Sequence, residues 1–190
     1  MSAFDLQKIL RIVKPSQRTA SLSHRPDQEL PFATESDLLG GELLLDTCVY
    51  IDILQGKAPP IVKALLRSRQ VNHSSVCAAE MTHLVGALDP QHPDTPAALQ
   101  KIVEVLETMP EHRVYTPTPD MFAEAGVLAG LLHRVNNHPK GTEGRLLCDA
   151  LLFLTGRRLG LTVLTGNIKD FDLLSQILPQ TSLLFYRRQL

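Results

Sequence analysis

The stretch LLLDTCVYID, residues 43–52, decides how this chain is read. Three leucines in a row make a short, fully apolar segment, and Asp46 follows them directly before apolar residues resume. A strand buried on both faces reads as such a continuous run, so LLL suggests a strand of a covered sheet. Asp46 then stands just beyond the strand's carboxyl end, where ligands gather in open α/β sheets. An aspartate there also suits the start of a helix, because its side chain accepts backbone N–H bonds worth about 1 kcal/mol. The segment TCVYIDIL behind it reads as that helix, stopped by Gly56.

Outward from this point, strands and helices alternate. PPIVKALLRSR is a helix opened by prolines, and QVNHSS is a strand leading into the helix VCAAEMTHLVGAL, with Cys77, Met81, Leu84 and Leu88 on one stripe. Pro90, Pro93 and Pro96 interrupt before the helix AALQKIVEVLETM. HRVYTPT is a candidate strand and PDMFAEAGVLAGLLHRV a helix. A polar loop over 136–144 precedes the apolar helix RLLCDALLFLTGRRLG. LTVLT, KDFDLLSQI and TSLLFY complete the pattern. Alternation of this kind predicts an α/β fold on a largely parallel sheet. Residues 3–14, with Phe4, Leu6, Ile9, Leu10 and Val13 at helical spacing, predict a short amphipathic helix. Residues 15–41 read as a linker ending in Gly40-Gly41, so an N-terminal extension, 1–41, is expected to precede the main domain, 42–190.

Three further acids stand in costly places. Glu80 borders the buried stripe of its helix, unless its long stem reaches solvent. Asp149 is the only polar residue in LLCDALLFL, and burying an unpaired carboxylate costs several kcal/mol, so it is expected to be neutralised, paired or bound to a metal unless it caps a helix. In TVLTGNIKDFD the order strand, turn, acid recurs, which brings Asp170 or Asp172 to the same sheet edge with Thr165 and Asn167 close by, or else makes a plain surface turn. Carboxylates gathered at one edge repel one another, and a divalent cation relieves that repulsion. Oxygen ligands suit Mg²⁺ or Mn²⁺ rather than zinc, and such an ion activates water for phosphodiester hydrolysis.

The composition sets bounds on the alternatives. With 44% hydrophobic and 21% charged residues the chain is ordinary globular protein. Nineteen basic and 20 acidic residues leave a net charge of -1, so a nucleic-acid partner needs a local basic patch: Arg67 with Arg69, Arg157 with Arg158, or Arg187 with Arg188, each also readable as a solvated face. Three cysteines without a CxxC pair exclude a disulfide framework and a typical zinc site, and point to reduced, cytoplasmic thiols. No apolar run approaches the roughly 18 residues of a membrane span and no signal-peptide core is present, so a soluble intracellular protein is expected. Neither a P-loop nor GxGxxG follows a strand, and an aspartyl phosphatase would want an acid where Cys48 stands. Thiol chemistry by Cys48, Cys77 or Cys148 with a base such as His73 or His83 is a further rival, set against the commoner role of free cysteines as small buried hydrophobes.

Taken in order, LLLDTCVYIDIL, SSVCAAEMTHL, CDALLFLTGRRLGLTVLTGN and NIKDF resemble the PIN domain, the nuclease family that includes VapC-type toxins, over roughly residues 43–186. The resemblance implies a PIN-like α/β/α sandwich with a central parallel sheet and Mg²⁺- or Mn²⁺-dependent endoribonuclease activity. It also implies frequent homodimers and inhibition by an antitoxin protein. By position, Asp46, Glu80 and Asp149 match the family's principal metal-binding acids and Asp170 the more variable fourth; Asn167 is its polar neighbour and Thr47 the small hydroxyl residue beside the first acid. About 40 residues before the first acid depart from the family's pattern, as do the prolines at 90, 93 and 96 and the loop at 136–144. An inactive RNA-binding module that keeps only the fold is the alternative, although all four acid positions are filled.

Overall fold

A computed structural model describes residues 4–137, 139 and 141–189; Ala3 of the expected first helix, and His138 and Lys140 of the polar loop, lie outside them. Five strands form one parallel sheet in the order β3-β2-β1-β4-β5: β1 (Leu43–Leu45), β2 (Val71–Ser74), β3 (Val114–Tyr115), β4 (Thr162–Thr165) and β5 (Leu183–Phe185). Every residue of β1 and β5 is buried, as helices on both faces require. The helices are α1 (Leu6–Val13), α2 (Thr47–Leu54), α3 (Pro60–Ser68), α4 (Ser75–Ala87), α5 (Thr95–Glu107), α6 (Pro119–Asn136), α7 (Glu143–Leu159) and α8 (Ile168–Ile177). None of them is long and apolar enough to cross a membrane.

The chain leaves β1 toward β2 and β3, then returns to add β4 and β5 on β1's other side. The order therefore reverses between β1 and β4, and a crevice opens beyond their carboxyl ends. Register places the two ends level: Leu45 pairs with Leu164, and the Asp46 amide donates to the Leu164 carbonyl at 3.1 Å.

Local deviations from the sequence reading have physical causes. The strand in HRVYTPT shrinks to Val114–Tyr115, because Pro117 cannot donate to the ladder. Pro96 does not interrupt before α5 but sits in its first turn, where a missing N–H costs nothing. On α4, Cys77 and Met81 are buried as the stripe requires, whereas Leu84 is 36% exposed. In α1 only Ile9 and Val13 are buried, against α6; Leu6 and Leu10 face outward. Residues 27–39 form two 3-10 turns around an isolated parallel bridge from Phe32 to Phe185, which covers the free edge of β5.

Gly156 fixes how closely α7 approaches the sheet. A Cβ there would lie 2.4 Å from Cγ2 of Val163, a short side chain with no room to retreat. Gly156→Ala gains about 1 kcal/mol of helix propensity but incurs about 2 kcal/mol of overpacking. We expect a net loss of about 1 kcal/mol, read as a fall of about 2–4 °C in Tm; an unchanged or raised Tm would show that α7 can shift freely.

Candidate active site

At the crevice, Asp46 ends β1 and occupies the N-cap position of α2, where the Thr47 and Cys48 backbone N–H groups favour its carboxylate without making a well-aligned capping bond. Its Oδ2 instead accepts from the Thr165 hydroxyl at the end of β4 and from the Cys48 thiol at 3.0 Å. Glu80 comes from the second turn of α4, and its Oε2 accepts from the hydroxyl of Thr47. Asp149 lies in the second turn of α7, too far in to cap it, and is 7% exposed. Asn167 caps α8 and stretches its amide nitrogen between two acids, reaching Asp149 Oδ2 at 3.2 Å and Asp170 Oδ2 at 2.9 Å.

The structure separates the two acids of the last segment. Asp170 faces the crevice through Asn167. Asp172, two residues on and so about 200° round the helix, is fully buried on the other side. There it accepts from the Arg25 amide at 2.9 Å and from Arg25 Nε at 2.6 Å. Burial pushes the Asp172 carboxyl up, but the Arg25 bonds outweigh it and hold the group below the usual range.

The other acids shift in the opposite direction. Burial pushes Asp46 up, with the Thr165 and Cys48 bonds only partly offsetting it. Burial raises Asp149 well above the usual carboxylate range, and the charges of Asp46, Asp170 and Glu80 add to that while Arg145 opposes it. Burial also raises Glu80, against the Thr47 bond. Desolvation of the carboxylates is thus the dominant electrostatic fact of the site, and repulsion between the acids adds to it at Asp149 and Glu80. A cavity of about 760 Å³ opens over it, lined among others by Asp46, Glu80, His83, Arg145, Asp149 and Arg188.

The donors available are carboxylate oxygens, which fit a hard divalent cation. The thiols do not compete: burial lifts all three above the ordinary thiol range, Cys148 to about 11. That removes the thiolate on which cysteine catalysis depends at neutral pH. Among the described residues no three His, Cys, Asp or Glu side chains are already drawn together as a ligand group. The acids are therefore disposed around the cavity but not closed on a point.

Sequence reading missed Arg145, although it stands four residues before Asp149 on α7, the spacing that puts two side chains on one helix face. Of the three basic pairs, Arg69 is buried and donates to the carbonyls of Gly41 and Asp37, and Arg158 pairs with Asp120 and Glu124. Only Arg187 and Arg188 stand beside the crevice. Arg188 is held by Asp52, a fully buried acid that also accepts from the Tyr186 hydroxyl at 2.7 Å.

No family model matches the chain. Solved structures do share its fold at low identity. FitAcB from Neisseria gonorrhoeae aligns with a TM-score of 0.53 at 19% identity, over 75% of this chain and 96% of that one. VapBC2 from Rickettsia felis, bound to a DNA fragment from their promoter, aligns at 0.50 and 13%, over 77% and 98%. FitAB bound to an IR36 DNA fragment aligns at 0.51 and 18%, over 75% and 94%. The fold is accordingly the PIN-like α/β/α sandwich.

Proposed function

We propose that this chain is a Mg²⁺- or Mn²⁺-dependent endoribonuclease, acting in the cytoplasm as the toxin of a toxin–antitoxin pair. The observation that carries the reading is Asp149: a buried carboxylate on the wall of an open cavity that Asp46 and Glu80 also line, driven up by burial and by the charges of those two acids and of Asp170, which Asn167 ties to it. Such an arrangement is unfavourable as it stands and becomes favourable when a divalent cation is shared. Asp46, Glu80 and Asp149 would hold the ion, with Asp170 assisting. When bound, the ion supplies Lewis acidity and lowers the pKa of a coordinated water.

The chain's own groups do the positioning. Thr165 and Thr47 each donate to one oxygen of Asp46 and Glu80, which fixes how those carboxylates are turned. Asn167 holds Asp149 and Asp170 together through one amide. Arg145, exposed on the cavity wall, is placed to take a phosphate of the substrate. An antitoxin partner and a homodimer form part of the proposal; the complexes named FitAcB and VapBC2 among the fold's neighbours support the first.

A PIN-like module without chemistry is the competing reading, favoured by the acids not being drawn into a ready ligand group. Incubation of the chain with mixed RNAs and Mn²⁺ separates the two. Cleavage that stops with EDTA and resumes on adding Mn²⁺ is the expected result. Absence of both cleavage and Mn²⁺ binding would leave the module reading in place.

A further inference from the structure

A second cavity, about 660 Å³, adjoins the first and shares Cys48, Arg145, Asn167 and Arg188 with it. Its walls come from residues 24–30, the start of α8 and the segment after β5. They carry Arg25, Lys169 and Arg187 besides the shared Arg145 and Arg188, five cations against the two acids Asp27 and Asp172 of the same lining. On a chain of net charge -1 this is a marked local excess of cations.

Ion pairing leaves these guanidinium groups open to contact, because the acids that hold them lie out of a ligand's reach. Arg25 is tied to Asp172 and Arg188 to Asp52, whose side chains are 1% and 0% exposed, while the two arginines stay 33% and 53% exposed. The cleft therefore presents guanidinium groups and conceals the carboxylates that hold them. Anchoring through Nε also orders these side chains in advance, which lowers the entropic cost of gripping a ligand. Asp27 is the exception: it is exposed and pairs with Arg187 at 2.6 Å.

We propose that this cleft is the track along which the sugar–phosphate backbone of a single-stranded RNA enters the acidic cavity, so that residues 24–30 are part of the substrate-binding surface. The assignment rests on the ribonuclease reading for what lies at the track's end. The binding itself rests on the cleft's own charges. Arg145 and Arg188, on the wall common to both cavities, hand the chain from the cationic segment to the carboxylates. Backbone phosphates are gripped by cations rather than by base-specific contacts, and the Arg and Lys side chains of this cleft supply them.

The test uses the full chain carrying Asp149→Asn, so that bound RNA is not cut, and a labelled unstructured single-stranded RNA. Replacing Lys169 and Arg187 together by Gln is expected to weaken binding about tenfold near 0.1 M salt. It should also reduce the slope of log K against log salt by about 1.4, since each phosphate contact on a single strand contributes about 0.7. Asp27→Asn releases Arg187 and should tighten binding. Arg67→Gln, exposed on α3 and outside both cavities, should change neither quantity. An unaltered affinity and salt slope in the double variant overturns the track, whatever the chain's cleavage activity. In the cleaving chain the same double variant should raise KM on long RNA. If the chain binds RNA through this cleft and cuts none, the ribonuclease reading fails and the track stands.

Discussion

Asp149→Asn is expected to lower RNA cleavage by on the order of 1,000-fold or more while raising Tm. The two effects have one cause. At Asp149 the native state holds a carboxylate that burial and three neighbouring acids disfavour. Asn has the same shape without the charge, and its amide can still meet Asn167, so the fold loses a repulsion and keeps its packing. The substitution also removes an anionic ligand from the place where the ion would bind, and several kcal/mol of charge stabilisation go with it, which is the rate loss expected. Opposite signs for rate and stability distinguish this from simple unfolding. A variant that cleaves RNA at the parent's rate would remove Asp149 from the reaction, and one with lowered Tm would remove the repulsion argument.

Divalent ion is expected to stabilise the chain strongly, and more so as pH rises. Asp46, Glu80 and Asp149 all have folded-state pKa values above their ordinary 3.8 to 4.5. At these groups the native state then binds more protons than the unfolded chain, so the stability they contribute is fully present below their ordinary values and is lost as pH rises through the folded ones. Asp172 has the opposite sign: its contribution is present above 3.8 and is lost only at lower pH. Without metal, Tm measured at about pH 8 should therefore lie below Tm measured at about pH 5, as far as these three acids decide it. Mn²⁺ competes with those protons, and at roughly a hundred times its Kd contributes about 2.7 kcal/mol, or about 5–10 °C. Thermal melts at the two pH values, with EDTA and with Mn²⁺, check this. A Tm indifferent to Mn²⁺, or a larger gain at the acid end, would contradict an acid-lined ion site.

Several parts of this molecule were legible before folding was considered. LLL followed by Asp, and TVLT followed by a turn and an acid, each placed a carboxylate beyond a strand, because only a doubly covered sheet tolerates such apolar runs. Asp149 among leucines announced a buried charge in the same way. The order and type of most elements followed from periodicity. The extent of β3, the start of α5 and the exposure of Leu84 did not, since proline placement and neighbouring helices decide them.

Which acid faces the crevice is a different matter. Asp170 and Asp172 share a motif and differ by about 200° around α8. The choice belongs to Arg25, 147 residues away in the chain, which draws Asp172 inward and leaves Asp170 with Asn167. Arg188 beside the cavity depends on Asp52 in the same manner, and Asp46 meets Thr165 only because β1 and β4 pair in register.

The amino-acid order thus determined that carboxylates would end strands and interrupt an apolar helix, since those are local consequences of hydrophobic pattern. Tertiary structure decided which of them share a cavity, which are neutralised by arginine, and where the unhidden cations lie. Those outcomes depend on through-space distances between residues more than a hundred positions apart, and Coulombic and hydrogen-bond energies follow such distances rather than sequence separation.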